Sequence, residues 1–102
     1  MIHVIASIEV AEGKRDAFLA EFHNNVPNVK AEAGCMDYGP AIDLPTGIGA
    51  QIPIRENVVT IIERWESLDV LNAHLAAPHM ATYRDKVKDL VKGATLQILQ
   101  PA

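Results

Sequence analysis

Cysteine is almost absent from this chain: Cys35 is the only one in 102 residues. No disulfide can form within the chain, so cysteine usage gives no pointer to an oxidising compartment. No histidine or other base lies near Cys35 in sequence, and after Gly34 it reads as a small hydrophobe at a strand start rather than a nucleophile. Positive charge is scarce as well. Nine Lys and Arg stand against thirteen Asp and Glu, a net charge of −4. Neutralising nucleic-acid phosphates requires clustered cations, so a nucleic-acid partner is excluded. The basic residues that do cluster, Arg84, Lys86, Lys88 and Lys92, alternate with Asp85 and Asp89 as on a solvated helix face. No apolar run approaches the roughly 18 to 20 residues of a membrane span. Met1-Ile2-His3-Val4 lacks the basic and long apolar regions of a signal peptide, so the expected location is cytoplasmic, away from membranes. There is no P-loop and no GxGxxG. Gly47-Ile48-Gly49 lacks a third glycine and a strand-to-helix setting, so no flavin or nicotinamide fold is expected. His74 and His79 are five apart with Pro78 between them, which is not the i, i+4 pair that holds zinc on a helix, and no metal is expected.

What is present is the pattern of one domain over residues 1–102. Ile2, Val4, Ala6, Ile8 and Val10 alternate with His3, Ile5, Ser7 and Glu9, a strand with one strongly apolar face. After Glu12-Gly13 the spacing changes. Ala17, Phe18, Phe22 and Val26 recur at three and four, as on an amphipathic helix. Pro27 is expected to bend or end that helix, with Val29 to Ala33 as a last turn or two and Gly34 as its cap. Cys35 to Ile42 reads as a second strand. Residues 43–57 carry Pro45 and Pro53, Gly47 and Gly49, yet also Leu44, Ile48, Ala50, Ile52 and Ile54. This is too long for a hairpin turn and too apolar for a solvated loop. It reads as an arm that buries its aliphatic side on a partner subunit or over a pocket mouth. Val58 to Trp65 is a third strand, with Val59, Ile61 and Trp65 on one side and Val58 and Ile62 on the other. A strand apolar on both faces needs cover on both, and a short chain has little to supply the second cover. A homodimer follows as the expectation. Ser67 suits a helix N-cap; Leu68, Leu71 and Leu75 mark the buried face of a short helix. Pro78 starts another, expected to reach about Val91 and close at Gly93, and Ala94 to Leu99 is the last strand. The order βαββ(αα)β predicts an α+β, ferredoxin-like sandwich.

One corner gathers chemistry. Trp65, the only tryptophan, ends the third strand, and His74, Pro78 and His79 follow the helix start after it. Trp65 is either core or the wall of a cavity. His74 lies three residues from Leu71 and beside Leu75, so its ring points near the apolar face. It is either a packed, hydrogen-bonded histidine or a general base held neutral by desolvation. Strand parity puts Ile61 beside Trp65, and helix spacing turns Leu71 and His74 the same way, so a pocket is expected between sheet and helices with walls of Trp65, His74 and Leu71 and Ile61 beneath. His79, after a proline, suits a cap or surface contact; at the rim it would touch substrate. Tyr38 and Asp37 lie on the second strand, and Tyr83 fits core packing with its hydroxyl at an edge. His3, Ser7 and Glu9 share one face of the first strand and sit either at the pocket or at a solvated edge.

These pieces resemble the antibiotic biosynthesis monooxygenase-like family of the dimeric α+β barrel superfamily. The resemblance runs through Glu12-Gly13-Lys14, the helix Asp16 to Phe22, the bend Glu32-Ala33-Gly34-Cys35, the segment Glu63 to Ser67, and His74 with Pro78-His79. The stretch from Glu63 to Met80 is its specific part. The resemblance implies a small-molecule site and gives the end of the first helix, with His23, a place at the pocket rim. The cofactor-independent quinone-forming members use a tryptophan where Trp65 stands, an asparagine four residues earlier and a tyrosine six residues later. Here those positions are Ile61 and Leu71, so only Trp65 carries over. Haem-degrading relatives have their axial histidine where Arg84 stands, and no haem is expected. A branch that isomerises a phosphorylated sugar-like molecule matches His74 and Pro78-His79, but its first-helix histidine falls at Val26. Three readings stand: a cofactor-free monooxygenase of an aromatic or quinol-type substrate with Trp65 and His74 in catalysis; a non-catalytic small-molecule-binding or stress-response module; and an isomerase using His74 as base.

Overall fold

A computed structural model describes residues 1–102. The elements are β1 (Ile2–Val10), α1 (Arg15–Lys30), β2 (Cys35–Ala41), β3 (Val58–Trp65), α2 (Leu68–Leu75), α3 (Pro78–Val87) and β4 (Val91–Leu99). The four strands form one antiparallel sheet in the order β2-β3-β1-β4. The three helices lie on one side of it, the ferredoxin-like α+β architecture expected from the element order. Strand parity decides which side chains meet the helices. On β1 these are Val4, Ala6 and Val10; on β3 they are Val59, Ile61, Glu63 and Trp65. All seven are buried. Phe18, Phe22 and Val29 of α1, Leu71 of α2, and Met80 and Val87 of α3 close the core from above.

Three boundaries differ from the sequence expectation. α1 runs through Pro27 without ending. Its ring is exposed, so the loss is one helix hydrogen bond, and burial of Phe18, Phe22, Asn25 and Val29 on the opposite face outweighs it. The helix then stops at Lys30, short of Ala33, with Ala31 as its C-cap. Gly34 serves the following turn. It sits at φ +81°, and a Cβ there would lie 2.8 Å from the Val70 methyls, so both backbone and packing require glycine. α3 ends at Val87, not Val91. The Leu90 amide donates to the Val87 carbonyl and the Leu90 carbonyl accepts from Ala11, which turns the chain back onto β1. β4 therefore begins at Val91, and Gly93 lies inside it opposite Glu9. A spacing of four between Val87 and Val91 fits a helix as well as it fits two separate elements.

The second face of the sheet carries Ile5, Ser7, Thr60, Ile62, Arg64, Thr95, Gln97 and Leu99 in register. His3, Ser7 and Glu9 belong to this face, away from the helices. Within one chain nothing covers it, and Ile62 is 46% and Leu99 42% exposed. The arm after β2 is ordered by local bonds. The Asp43 carboxylate accepts from the Arg55 backbone amide and guanidinium at 2.9 Å, and Gln51 ties to Leu44 and Thr46. Leu44, Ile48 and Ile52 are nonetheless 59% exposed or more.

Candidate active site

Between the helices and the sheet lies a cavity of about 460 Å³ with a predominantly apolar wall. Its floor is Ala6, Ile8, Ile61 and Leu96, and its roof is Phe18, Phe22, Met80 and Val87. The size falls in the range of roughly 300–1,000 Å³ common for small-molecule sites. Phe22 stacks on Tyr38 at 5.2 Å between ring centroids and 11° between planes, and Tyr83 meets Phe22 edge-on at 6.0 Å. The wall is thus flat and aromatic on one side.

Tyr38, Glu63, His74 and Tyr83 bring polar groups into this apolar space, and Arg84 and Lys88 of α3 also stand on its lining. β2 and β3 pair Tyr38 with Glu63, so both project from neighbouring positions on the helix face. α2 delivers His74. Ser67 caps that helix by accepting from the Val70 amide, and Leu71 and His74 form its inward side. His74 Nδ1 lies 2.7 Å from Oε2 of Glu32, which projects from the turn after α1. A carboxylate only accepts, so this bond assigns the ring proton to Nδ1 and leaves Nε2 bare on the neutral imidazole. Nε2 has no protein partner and is not among the polar atoms sealed from solvent. Burial pulls the His74 pKa below its ordinary value, against the partial support of the Glu32 bond. The ring is therefore neutral at pH 7 and able to accept a proton on the free nitrogen.

Glu63 is the one acidic side chain in the cavity wall and is 6% exposed. Its Oε1 accepts from the Trp65 indole Nε1 at 2.9 Å, and Oε2 has no protein partner. Burial pushes its pKa up to about 7, a rise the indole bond limits and the nearby Glu32 charge increases. Burial likewise raises the Tyr38 and Tyr83 hydroxyls, which stay protonated and can donate. An apolar cavity thus holds a bare imidazole nitrogen, a carboxyl titrating near neutrality and two phenols. That set can remove a proton from a weakly acidic hydroxyl and return one elsewhere.

The sequence-predicted residues divide. His74, Ile61 and Tyr38 line the cavity. Trp65 does not. It is fully buried behind the wall, with its ring 4.6 Å from that of His74, and it acts on the cavity through His74 and Glu63. Leu71 is core beside it, because the inward face of α2 offers cavity exposure only toward its C-terminal turn. His23 is exposed on the outer side of α1, one helix position away from the buried Phe22. His79 faces a separate polar groove of about 140 Å³ between α1 and α3, with Asn24, Asn25, Asn28 and Thr82. Its Nε2 stands 3.4 Å from the same Glu32 oxygen without hydrogen-bond geometry. No residue of the 43–57 arm lines the cavity, so the arm does not close the pocket mouth of its own chain. Sequence reasoning passed over Glu32 and Glu63. Glu63 carried a signal, since it is the one charge on the buried parity of β3. Glu32 carried none: it is 42 residues from His74.

A family model described as "Antibiotic biosynthesis monooxygenase" matches residues 1–86. The chain is 41% identical over 103 residues to the "Probable quinol monooxygenase YgiN" of Escherichia coli K12, covering 99% of this chain and 98% of that one. Among solved structures it is similar to PA3566 from Pseudomonas aeruginosa, with a TM-score of 0.81, 23% identity and coverage of 99% and 93% of the two chains. Rv0793 from Mycobacterium tuberculosis is similar at a TM-score of 0.78 and 24% identity, with coverage of 99% and 94%. No helix is long and apolar enough to cross a membrane.

Proposed function

Because the chain belongs to the antibiotic biosynthesis monooxygenase family, we propose that its cavity oxidises a quinol-type aromatic with molecular oxygen. The observation that carries this reading is His74, neutral, oriented by Glu32 and open on Nε2 within an aromatic, apolar cavity. A quinol ring fits flat between such walls, and its hydroxyl proton goes to Nε2. The resulting quinolate is electron-rich and gives its electrons to O₂ directly, so the reaction needs no bound redox cofactor. In balance, one quinol and one O₂ give one hydroxyquinone and one water. One oxygen atom enters the ring, and the other is reduced by the substrate's own electrons. Ile61 and Leu71 cannot supply an amide and a phenol, but Tyr38 and Tyr83 bring two hydroxyl donors to the same space. The kinship to a relative named for quinol oxidation supports the substrate class.

The test is aerobic incubation of the purified protein with substituted hydroquinones under an oxygen electrode. Saturable O₂ uptake with an equal yield of hydroxyquinone is expected. Ligand-induced thermal stabilisation without uptake supports a binding module instead, and a product isomeric with the substrate supports an isomerase.

The reading extends to one domain over the whole chain, in the cytoplasm, working as a homodimer. Ile5, Ile62 and Leu99 on the open sheet face, and Leu44, Ile48 and Ile52 on the arm, are the apolar surface a second copy would cover. An obligate interface of this kind buries on the order of 2,000 Å² or more in total. Sedimentation at micromolar concentration is expected to give two chains per particle, and deletion of residues 45–53 to weaken the association. A monomer in the first measurement removes the dimer.

A further inference from the structure

We propose that Glu63 is a second catalytic residue, the acid that protonates the oxygen-derived end of the intermediate while His74 serves as the base. This rests on the quinol-oxidation reading above. The geometry separates the two roles. His74 is held by Glu32 with one nitrogen bare toward the cavity, and Glu63 is held by Trp65 with one oxygen free in the same cavity. Each group is fixed at one atom from outside the cavity and free at the other. Two titrating groups shifted in opposite directions by their surroundings can take the roles of acid and base in one site. Here desolvation leaves His74 unprotonated and lets Glu63 keep its proton near neutral pH.

The proton count accommodates such a group. His74 takes the hydroxyl proton. Electron transfer from quinolate to O₂ and closure of the C–O bond ortho to the ring oxygen leave a peroxo group, negative at its terminal oxygen. Glu63 gives its proton to that oxygen, forming a hydroperoxide. The ring C–H at the same carbon is then lost to the Glu63 carboxylate, and its electron pair becomes the second C–O bond as the O–O bond breaks. The departing hydroxide takes the proton held on His74 and leaves as water. Both residues end as they began.

Glu63→Gln tests the assignment, because the amide keeps the volume and an oxygen for the Trp65 indole but has no acidic proton. Anaerobic mixing is expected to show the same bound quinolate spectrum as wild type. Hydroxyquinone formation is expected to fall by about 10²–10³-fold, with the consumed O₂ appearing as hydrogen peroxide. A purely structural role would shift the melting temperature and leave the ratio of product to peroxide unchanged, and that result overturns the proposal. So does loss of the quinolate spectrum in Glu63→Gln with its retention in a His74 variant, since Glu63 would then be the base. A second measurement needs no variant. Peroxide leakage by wild type is expected to rise as pH climbs through about 7, where Glu63 loses its proton. The other groups around the cavity are Glu32 from the turn after α1, Tyr38 from β2, His74 from α2, and Tyr83, Arg84 and Lys88 from α3. His74 is already neutral over that range and the tyrosines remain protonated, so neither supplies the transition. Leakage that is flat from pH 6 to 9 overturns the proposal. Absence of any O₂ uptake by wild type removes the quinol reading and this inference together, whereas normal uptake with an unaffected Glu63→Gln removes only the inference.

Discussion

Replacing His74 with asparagine is expected to lower kcat/KM for quinol oxidation by about 10²–10⁴-fold, the usual worth of a positioned base. The amide places a donor near the Nδ1 position for Glu32 but offers no basic nitrogen to the cavity. His74→Ala is expected to lose at least as much activity and to be less stable, because it leaves a void beside Trp65 and takes the partner from Glu32. Glu32→Gln retains the imidazole but no longer enforces its tautomer, so an intermediate loss is expected. Steady-state O₂ uptake read beside circular dichroism separates these effects. A folded His74→Asn variant within tenfold of wild type would show that the base is elsewhere.

Glu63→Gln is expected to change the pH dependence of stability by about 3 kcal/mol. The folded pKa of Glu63 is raised to about 7 from an ordinary 4.5. At 1.36 kcal/mol per unit the difference is worth about 3 kcal/mol. The sign follows from proton binding. Between these two pH values the folded protein holds a proton that the unfolded chain has released. The contribution is therefore complete below the ordinary value and lost as pH rises through 7. The glutamine variant does not titrate, so its stability relative to wild type should improve steadily from pH 5 to 8. Desolvation of His74 acts in the opposite direction at acid pH, but it is common to both proteins and cancels in the comparison. Urea unfolding at several pH values measures this. Parallel curves for the two proteins would show that Glu63 ionises as freely as an exposed carboxylate.

The resemblance puts the tryptophan of quinone-forming members at Trp65, yet Trp65 stands outside the cavity and touches two residues that do line it. Its ring packs on His74, and its indole N–H fixes Glu63. The positions that would carry an amide and a phenol are aliphatic, and Tyr38 and Tyr83 reach the cavity from other elements. The same volume is thus furnished with donors from β2 and α3.

Element order and the face of each strand were legible in the sequence. Those properties depend on periods of two and 3.6 residues, which are local, and Val59, Ile61, Trp65, Leu71 and His74 all lie where those periods put them. On α2, however, only Leu71 and His74 are buried. Leu68 and Leu75, expected on the same face, are 53% and 39% exposed because the helix covers the sheet along a narrow stripe. Element ends were less secure: the helical spacing of Val87 and Val91 continues past the true end of α3, which the backbone bond between Ala11 and Leu90 sets. The site depended on tertiary structure still more. Glu32 meets His74 across 42 residues of chain because the turn after α1 lies against α2, and Val70 packs on Gly34 at that contact. Local sequence cannot encode such a distance. Which residues face the cavity and which stand behind its wall was settled by how the helices sit on the sheet. Trp65 and Glu63 share a strand face, two residues apart, yet one is core and the other reaches the open space. Parity gives a direction; only the packed neighbours decide what lies in that direction.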